Sequence, residues 1–392
     1  MRKTVFLLGL VFSTLSVMSQ NSEISSVIKR VKEKYVPDSR VEIWDIVATQ
    51  REDTVILKGE TTNRDAYDEL IVQAGSLYGQ LKDSIRLLPA SELGDATWGV
   101  IYNSVGTLRA QPRYGSELVS QGLLGMPVRI LEKRAGWRRI QTPDQYIGWI
   151  NGSVKVMTKP ELEEYLQKPK IIVTAISTHS VSQQKDDAFP VSDLVAGNML
   201  TIKGTQGKFY HVVYPDGREA YVRKSDAVET EKWLKGIKLT GKSIVNTAYR
   251  LMGVPYLWGG TSSKGLDCSG FTKTVYFMHG IILARDASQQ VHSGKLIDDQ
   301  GDFSGALPGD LLFFGTKAND GKSKERVIHV GIYIGHNRFI HASDYIHIGS
   351  LDPDDPLYDE FNTNRYLRTK RIIGEVGTPG IERIFDNEFY KQ

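Results

Sequence analysis

The only cysteine among the 392 residues is Cys268, in the run Asp267-Cys268-Ser269-Gly270. A lone cysteine is either a small buried hydrophobe or a reactive thiol, and its surroundings decide between them. Gly260–Gly265 reads as a turn, Asp267 as an N-cap and Phe271–Met278 as a helix. Cys268 is therefore expected at a helix N-terminus, where unpaired N–H groups stabilise a thiolate, lower its pKa and can hold a developing oxyanion. A thiol nucleophile needs a base. Of the eight histidines, His329 sits in the alternating run Val327–Ile334. Ile328, Val330, Ile332 and Ile334 should share one face, turning His329 toward a cleft or solvent. A turn at Gly335–Asn337 leads to His341. If Ile334 pairs with Arg338, then Gly331 faces His341, and His341 becomes a diagonal neighbour of His329. That suits a group that orients the base. His336 is expected in the turn, solvated. His179, His211, His279, His292 and His347 have no partner spacing that supports a role. With no His-Glu-x-x-His and no paired cysteines, neither a metal nor another cofactor is expected.

The elements that must position these residues begin near residue 238. Gly241–Met252 carries Ile244, Val245, Ala248 and Leu251 at helical spacing, and strand-like runs follow at Leu311–Phe314, Val327–Ile334 and Arg338–Ala342. Helices first and strands second predict an α+β domain over 238–392. Upstream, residues 96–158 and 169–230 align at a constant offset of 72, Gly125 with Gly197 and Trp137 with Phe209. Ile140 then matches Val212, Pro143-Asp144 matches Pro215-Asp216, Trp149 matches Tyr221 and Ser153 matches Ser225. Apolar residues at spacing two and shared turn signals predict two copies of one small β-module. A short helix over Glu161–Leu166 should join them. Residues 20–95 read as helix Ile24–Lys34, strands Val41–Val47 and Val55–Lys58, and helix Ala66–Leu77, an elaboration packed on the first module.

Composition is that of an ordinary globular chain, 40% hydrophobic and 24% charged. A net charge of +3 with dispersed Lys and Arg argues against nucleic acid as a partner. The chain opens Met-Arg-Lys, runs apolar from Val5 to Phe12 and reaches small residues at Val17-Met18-Ser19. Residues 1–19 thus read as a secretory signal peptide, too short to span a bilayer. An exported protein, periplasmic or secreted, follows, with no stable membrane insertion once the signal is removed. Oligomeric state is not legible.

Six runs in order carry a resemblance: Val254-Pro255-Tyr256-Leu257-Trp258-Gly259-Gly260, Asp267-Cys268-Ser269-Gly270, Leu283-Ala284-Arg285-Asp286, Leu307-Pro308-Gly309-Asp310-Leu311, His329-Val330-Gly331 and His341-Ala342-Ser343. Residues 238–374 resemble the NlpC/P60 family of papain-like cysteine peptidases. The family's triad of Cys, His and a third polar residue falls on Cys268, His329 and His341. The paired modules resemble bacterial SH3-like (SH3b) domains. The whole resembles the YkfC-type subfamily, γ-D-glutamyl-L-diamino acid endopeptidases that act on wall peptides with a free N-terminal L-alanine. The implied fold is a papain-like NlpC/P60 catalytic domain of α+β class preceded by two small SH3-like β-barrels. The resemblance implies substrate contacts from Glu117 and Tyr146 of the first module and from Tyr256, Asp267, Ser269 and Asp286 of the catalytic domain. Glu117 and Asp286 would face a substrate ammonium. A serine sometimes found after that aspartate is Ala287 here. The implied partners are peptidoglycan-derived peptides; intact peptidoglycan, with the modules as wall anchors, is the other reading. A purely binding protein is argued against by the intact Cys268, His329 and His341.

Overall fold

The computed structural model describes residues 23–51, 54–318 and 324–391; the expected signal peptide lies outside them. No helix among the described residues is long and apolar enough to cross a membrane. The chain forms two compact units that divide after Gly94.

The first unit begins with a helix over 23–35. Strands Trp44–Arg51 and Thr54–Thr61 pair antiparallel, helix Arg64–Leu77 crosses over, and Gln80–Leu87 joins Thr54–Thr61 in parallel. Asn63 Oδ1 caps the crossover helix, accepting from Ala66 N at 2.8 Å. Val31, Trp44, Leu57, Leu70 and Ala74 fill the core. Gln80–Leu87 has no counterpart in the sequence reading. Most of its residues are exposed, as befits an edge strand, so its alternation is faint.

In the second unit the two modules share one topology. The first has strands Trp98–Ile101, Val105–Arg109, Leu118–Leu123, Pro127–Arg134, Trp137–Gln141, Ile147–Asn151 and Val154–Met157. The second has Lys170–Val173, Ser177–Val181, Pro190–Val195, Met199–Gln206, Phe209–Val213, Glu219–Arg223 and Ala227–Glu229. Each forms a seven-stranded sheet in which the seventh strand leads, followed by the first, fourth, fifth, sixth, second and third. Registers repeat too: Ile140 opposes Gly148 as Val212 opposes Ala220. A bulge follows Ile130 in one and Ile202 in the other. Gly125 and Gly197 take φ of 85° and 89°, a turn conformation costly for any other residue. No ladder joins the third and seventh strands among the described residues, so neither sheet closes into the expected barrel. In the first module the edge beside the third strand is occupied instead. Thr261 N donates to Gln121 Oε1 and Thr261 Oγ1 to Gln121 O, both at 2.9 Å. Helix Lys159–Gln167 joins the modules, with a capping box between Thr158 and Glu161. Its Leu162, Tyr165 and Leu166 pack with Val100.

The C-terminal half opens with helix Gly241–Tyr249, the small ladder Thr261–Ser262/Gly265–Leu266 and helix Cys268–Phe277. An antiparallel sheet follows in the order Lys295–Asp298, Tyr366–Arg371, Leu311–Thr316, Arg326–Gly335, Arg338–Ser343, Tyr345–Ser350. The helices cover one face, where Phe271 and Val275 meet Phe313, Val330, Ile332 and Ile340. Leu312, Phe314, Tyr333, Phe339 and Tyr366 form a second apolar cluster. The α+β expectation holds for this half.

A buried ion pair helps seat the first module here. Lys273 Nζ lies 2.7 Å from Asp144 Oδ2, whose side chain is 1% exposed. Burial presses the Asp144 carboxyl upward, but Lys273 and Thr142 hold it below its usual range. Its contribution to stability is complete above the unfolded carboxyl pKa and is lost as pH falls through the depressed folded value. Lys273→Met strands that carboxylate. The variant should lose about 3–5 kcal/mol in urea unfolding at neutral pH. A loss under about 1 kcal/mol would show that Asp144 does not depend on Lys273.

Candidate active site

The approach to Cys268 is fixed by glycines and one carboxylate. Asp267 is the N-cap of helix Cys268–Phe277: its Oδ1 accepts from Gly270 N at 2.7 Å and its Oδ2 from Gly259 N at 3.0 Å. A Cβ on Gly270 would stand 1.9 Å from Gly260 O, so no side chain fits there. Cys268 opens the helix as expected, but it is only 8% exposed. Its thiol is pushed up to about 12, first by burial and then by the Asp267 charge. The backbone of Val330 and the Arg285 charge pull weakly the other way. The expected lowering is therefore reversed. A rise from 9.0 to about 12 corresponds to about 4 kcal/mol, against about 0.3–1 kcal/mol for a helix terminus. Burial and the Asp267 charge thus favour the neutral thiol at Cys268.

Cys268 packs in one cluster with Val330 and interacts with its backbone, one residue along the strand from His329. Gly331 opposes His341, and His329 Nε2 lies 2.8 Å from His341 Nδ1. The diagonal pair is present, although the turn differs from the expected one. Gly335, not Ile334, opposes Arg338, because a bulge beyond Tyr333 absorbs one residue after the histidine register is set. His329 is buried rather than turned to a cleft or solvent. Ile328 is 47% exposed and His329 6%, with the imidazole against Phe314, ring centroids 5.8 Å apart. The flanking strands Leu311–Thr316 and Arg338–Ser343 supply that second apolar layer, Phe314 standing directly opposite His329. Burial, then the charge of His341, lowers the His329 pKa well below the usual imidazole range. His341 is pushed down to about 4 by burial and by His347, against the pull of Asp359. Both rings rest neutral at pH 7, the form in which His329 can accept a proton.

Arg285 is the hub of the remaining residues. It is 1% exposed, its Nη2 is 2.5 Å from Asp267 Oδ2 and its Nη1 is 3.8 Å from Asp286 Oδ1. Nη1 also donates to Asp267 Oδ1 and Ser269 Oγ, each at 3.1 Å. Tyr146 acts on the Arg285 charge. Half-buried Tyr256 feels Cys268 and Asp267, and burial first of all raises its phenol pKa. Asp286 heads the short helix Ala287–Gln290, with Gln289 reaching back to its N–H at 3.0 Å. Glu117 is exposed, and its Oε1 accepts from Trp258 Nε1 at 2.7 Å. The structure thus gathers Tyr146, Tyr256, Asp267, Ser269 and Asp286 around Arg285. Glu117 is held by a different partner, Trp258.

Sequence reasoning passed over Arg285, Trp258 and His347 as site residues. His347 had a readable signal. Asp344 makes a tight turn at φ 60° midway between His341 and His347, which are opposed across the hairpin; His341 Nε2 lies 3.0 Å from His347 Nε2. Arg285 carried no comparable signal, because its partners come from a turn and a helix start.

Residues 253–370 match the NlpC/P60 family, and residues 108–153 match the bacterial dipeptidyl-peptidase SH3 domain. The chain is 30% identical over 265 residues to gamma-D-glutamyl-L-lysine dipeptidyl-peptidase of Bacillus cereus, covering 64% of this chain and 76% of that protein. It is 27% identical over 277 residues to dipeptidyl-peptidase 6 of Lysinibacillus sphaericus, covering 66% and 93%. The crystal structure of an NlpC/P60 family protein from Bacillus cereus is similar at a TM-score of 0.58 and 25% identity, over 70% of this chain and 99% of that one. The chain belongs to the NlpC/P60 family and is a cysteine peptidase with an SH3 domain.

A buried thiol with a raised pKa has a measurable signature. Alkylation by iodoacetamide proceeds through the thiolate, whose fraction rises about tenfold per pH unit below the pKa. The rate at Cys268 in the free enzyme should therefore climb steadily from about pH 6 to about pH 9. A rate flat across that interval would reveal a preformed thiolate–imidazolium pair and contradict this description.

Proposed function

We propose that this peptidase hydrolyses the γ-D-glutamyl to L-diamino acid bond of peptidoglycan-derived peptides bearing a free N-terminal L-alanine. The observation that carries the proposal is the seating of the first module beside the catalytic segment, with Glu117 on Trp258 at 2.7 Å and Gln121 on Thr261. The names of the relatives support the same bond. The second module repeats the strand order of the first and is read as a second SH3-like unit. Within the second unit the proposed domains are 96–158, 169–230 and 238–392. The start of the chain supports export to a periplasm or beyond.

In this reading His329 takes the Cys268 proton as sulfur attacks the γ-carbonyl carbon of D-glutamate. His341 orients His329. Backbone N–H groups of the helix start and the Tyr256 phenol, kept protonated by its raised pKa, face the oxyanion. Collapse breaks the C–N bond, and His329 returns the proton to the leaving amine. Water, deprotonated by His329, then cleaves the thioester and restores the thiol. Asp267, Ser269 and Tyr146 line the acyl side around Arg285. Glu117 and Asp286 receive the L-alanine ammonium.

Cys268→Ala should lower kcat by at least about 10⁴; near-normal turnover would end the nucleophile assignment. Losing one partner of a charge pair that becomes desolvated on binding costs about 2 kcal/mol or more. Glu117→Ala should therefore lower kcat/KM on L-Ala-γ-D-Glu-diamino acid peptides about 30-fold. Wild type should reject the N-acetylated peptide, which has no charge to pair. Equal wild-type rates on free and acetylated peptides would overturn the ammonium pocket and favour a hydrolase of intact wall.

A further inference from the structure

Three imidazoles on adjacent strands form a line, and the reaction above uses only His329 and His341. The line ends at a backbone carbonyl: His347 Nδ1 is 2.9 Å from Tyr345 O. A carbonyl oxygen only accepts, so that nitrogen carries the hydrogen. In neutral His347 the other nitrogen, Nε2, is then bare. His341 Nε2, 3.0 Å away, has to donate to it. That leaves His341 Nδ1 bare, and His329 Nε2, at 2.8 Å, donates in turn. Nδ1 of His329 is then the one nitrogen left to receive a proton.

We propose that His347 is a positioning residue: acting through His341, it fixes His329 in the Nε2–H tautomer and so presents His329 Nδ1 as the base for Cys268. This rests on His329 being the base. The chain of donors has one direction because each ring's tautomer is set by the bond on its other nitrogen. It also has a way to fail. His329 and His341 are 6% and 1% exposed, whereas His347 is only half-buried at the outer end. A proton added to His347 makes both its nitrogens donors. His341 Nε2 must then accept, His341 Nδ1 must donate and His329 Nε2 must accept. His329 Nδ1 ends up carrying hydrogen, and the base is blocked.

The other groups facing the line favour its working direction. Asp359 Oδ2, 3.7 Å from His341 Nε2, is also an acceptor. It is engaged by Asn362 Nδ2, so His347 remains the nearer partner. The Tyr345 ring flanks His347 at 4.9 Å. Arg365 acts on His329 and His341 as a positive charge, opposing a proton on either.

The test is kcat and KM against pH for wild type, His347→Ala and His347→Gln, with ¹⁵N NMR of the His329 ring. His347→Ala should lower kcat about tenfold at neutral pH with KM within about twofold, and its His329 ring should show mixed tautomers. In His347→Gln the carboxamide oxygen can accept from His341 but cannot be protonated. It should restore kcat to within about threefold and carry the acid limb of kcat/KM to lower pH than in wild type. A wild-type His329 with hydrogen on Nδ1 would overturn the proposal, and that spectrum decides even if a variant fails to fold. An alanine variant with wild-type kcat and acid limb would also overturn it. Turnover retained by His329→Ala would instead remove the base assignment and this proposal with it.

Discussion

Arg285 lies almost wholly out of water, and its two terminal nitrogens reach the residues on either side of Cys268. A buried guanidinium without a partner is costly, so Asp267 and Arg285 hold one another in place. Asp267 also accepts from Gly270 N and Gly259 N, which fixes both the helix start and the turn that delivers it. Gln290 extends the frame. It accepts from Thr272 Oγ1 and donates to Ser269 O and Ala284 O. The position of the sulfur is therefore set by a polar network buried beneath it. The residues expected to meet the acyl side of a substrate hang from that same guanidinium.

That placement has a chemical cost. The carboxylate that caps the helix stands beside the thiol and, together with burial, opposes ionisation. The histidines answer in kind. Buried against Phe314 and Phe339, they stay neutral, the form able to accept a proton. In the proposed reaction the sulfur therefore loses its proton during attack, and burial favours the neutral thiol before it. For a chain read as exported into an oxidising compartment, a protected thiol is also the less oxidisable one.

The sequence carried the parts of the fold that depend on local rules. The offset of 72 was readable because Gly125 and Gly197 occupy the same left-handed turn and the same apolar alternation follows each. The His329–His341 neighbourhood was readable because strand pairing has a period of two, and the bulge near Ile334 falls beyond the pair. Properties set by the pairing of one strand with its neighbours were not readable. His329 is buried by Phe314 and its neighbours, and the alternation of its own strand gives no hint of them. The thiol pKa depends on how deep the helix start sits. The open edge of the first module reflects what covers its third strand, which is Thr261, far along the chain.

The central claim is that Cys268 cuts the bond after D-glutamate through a thioester. Rapid acid quenching during turnover of L-Ala-γ-D-Glu-L-Lys, followed by mass spectrometry of the digested enzyme, tests it most directly. The account predicts an adduct of the L-Ala-γ-D-Glu acyl group on the peptide that contains Cys268, with free lysine released in step. An adduct that retains lysine, or one on a peptide lacking Cys268, would contradict it.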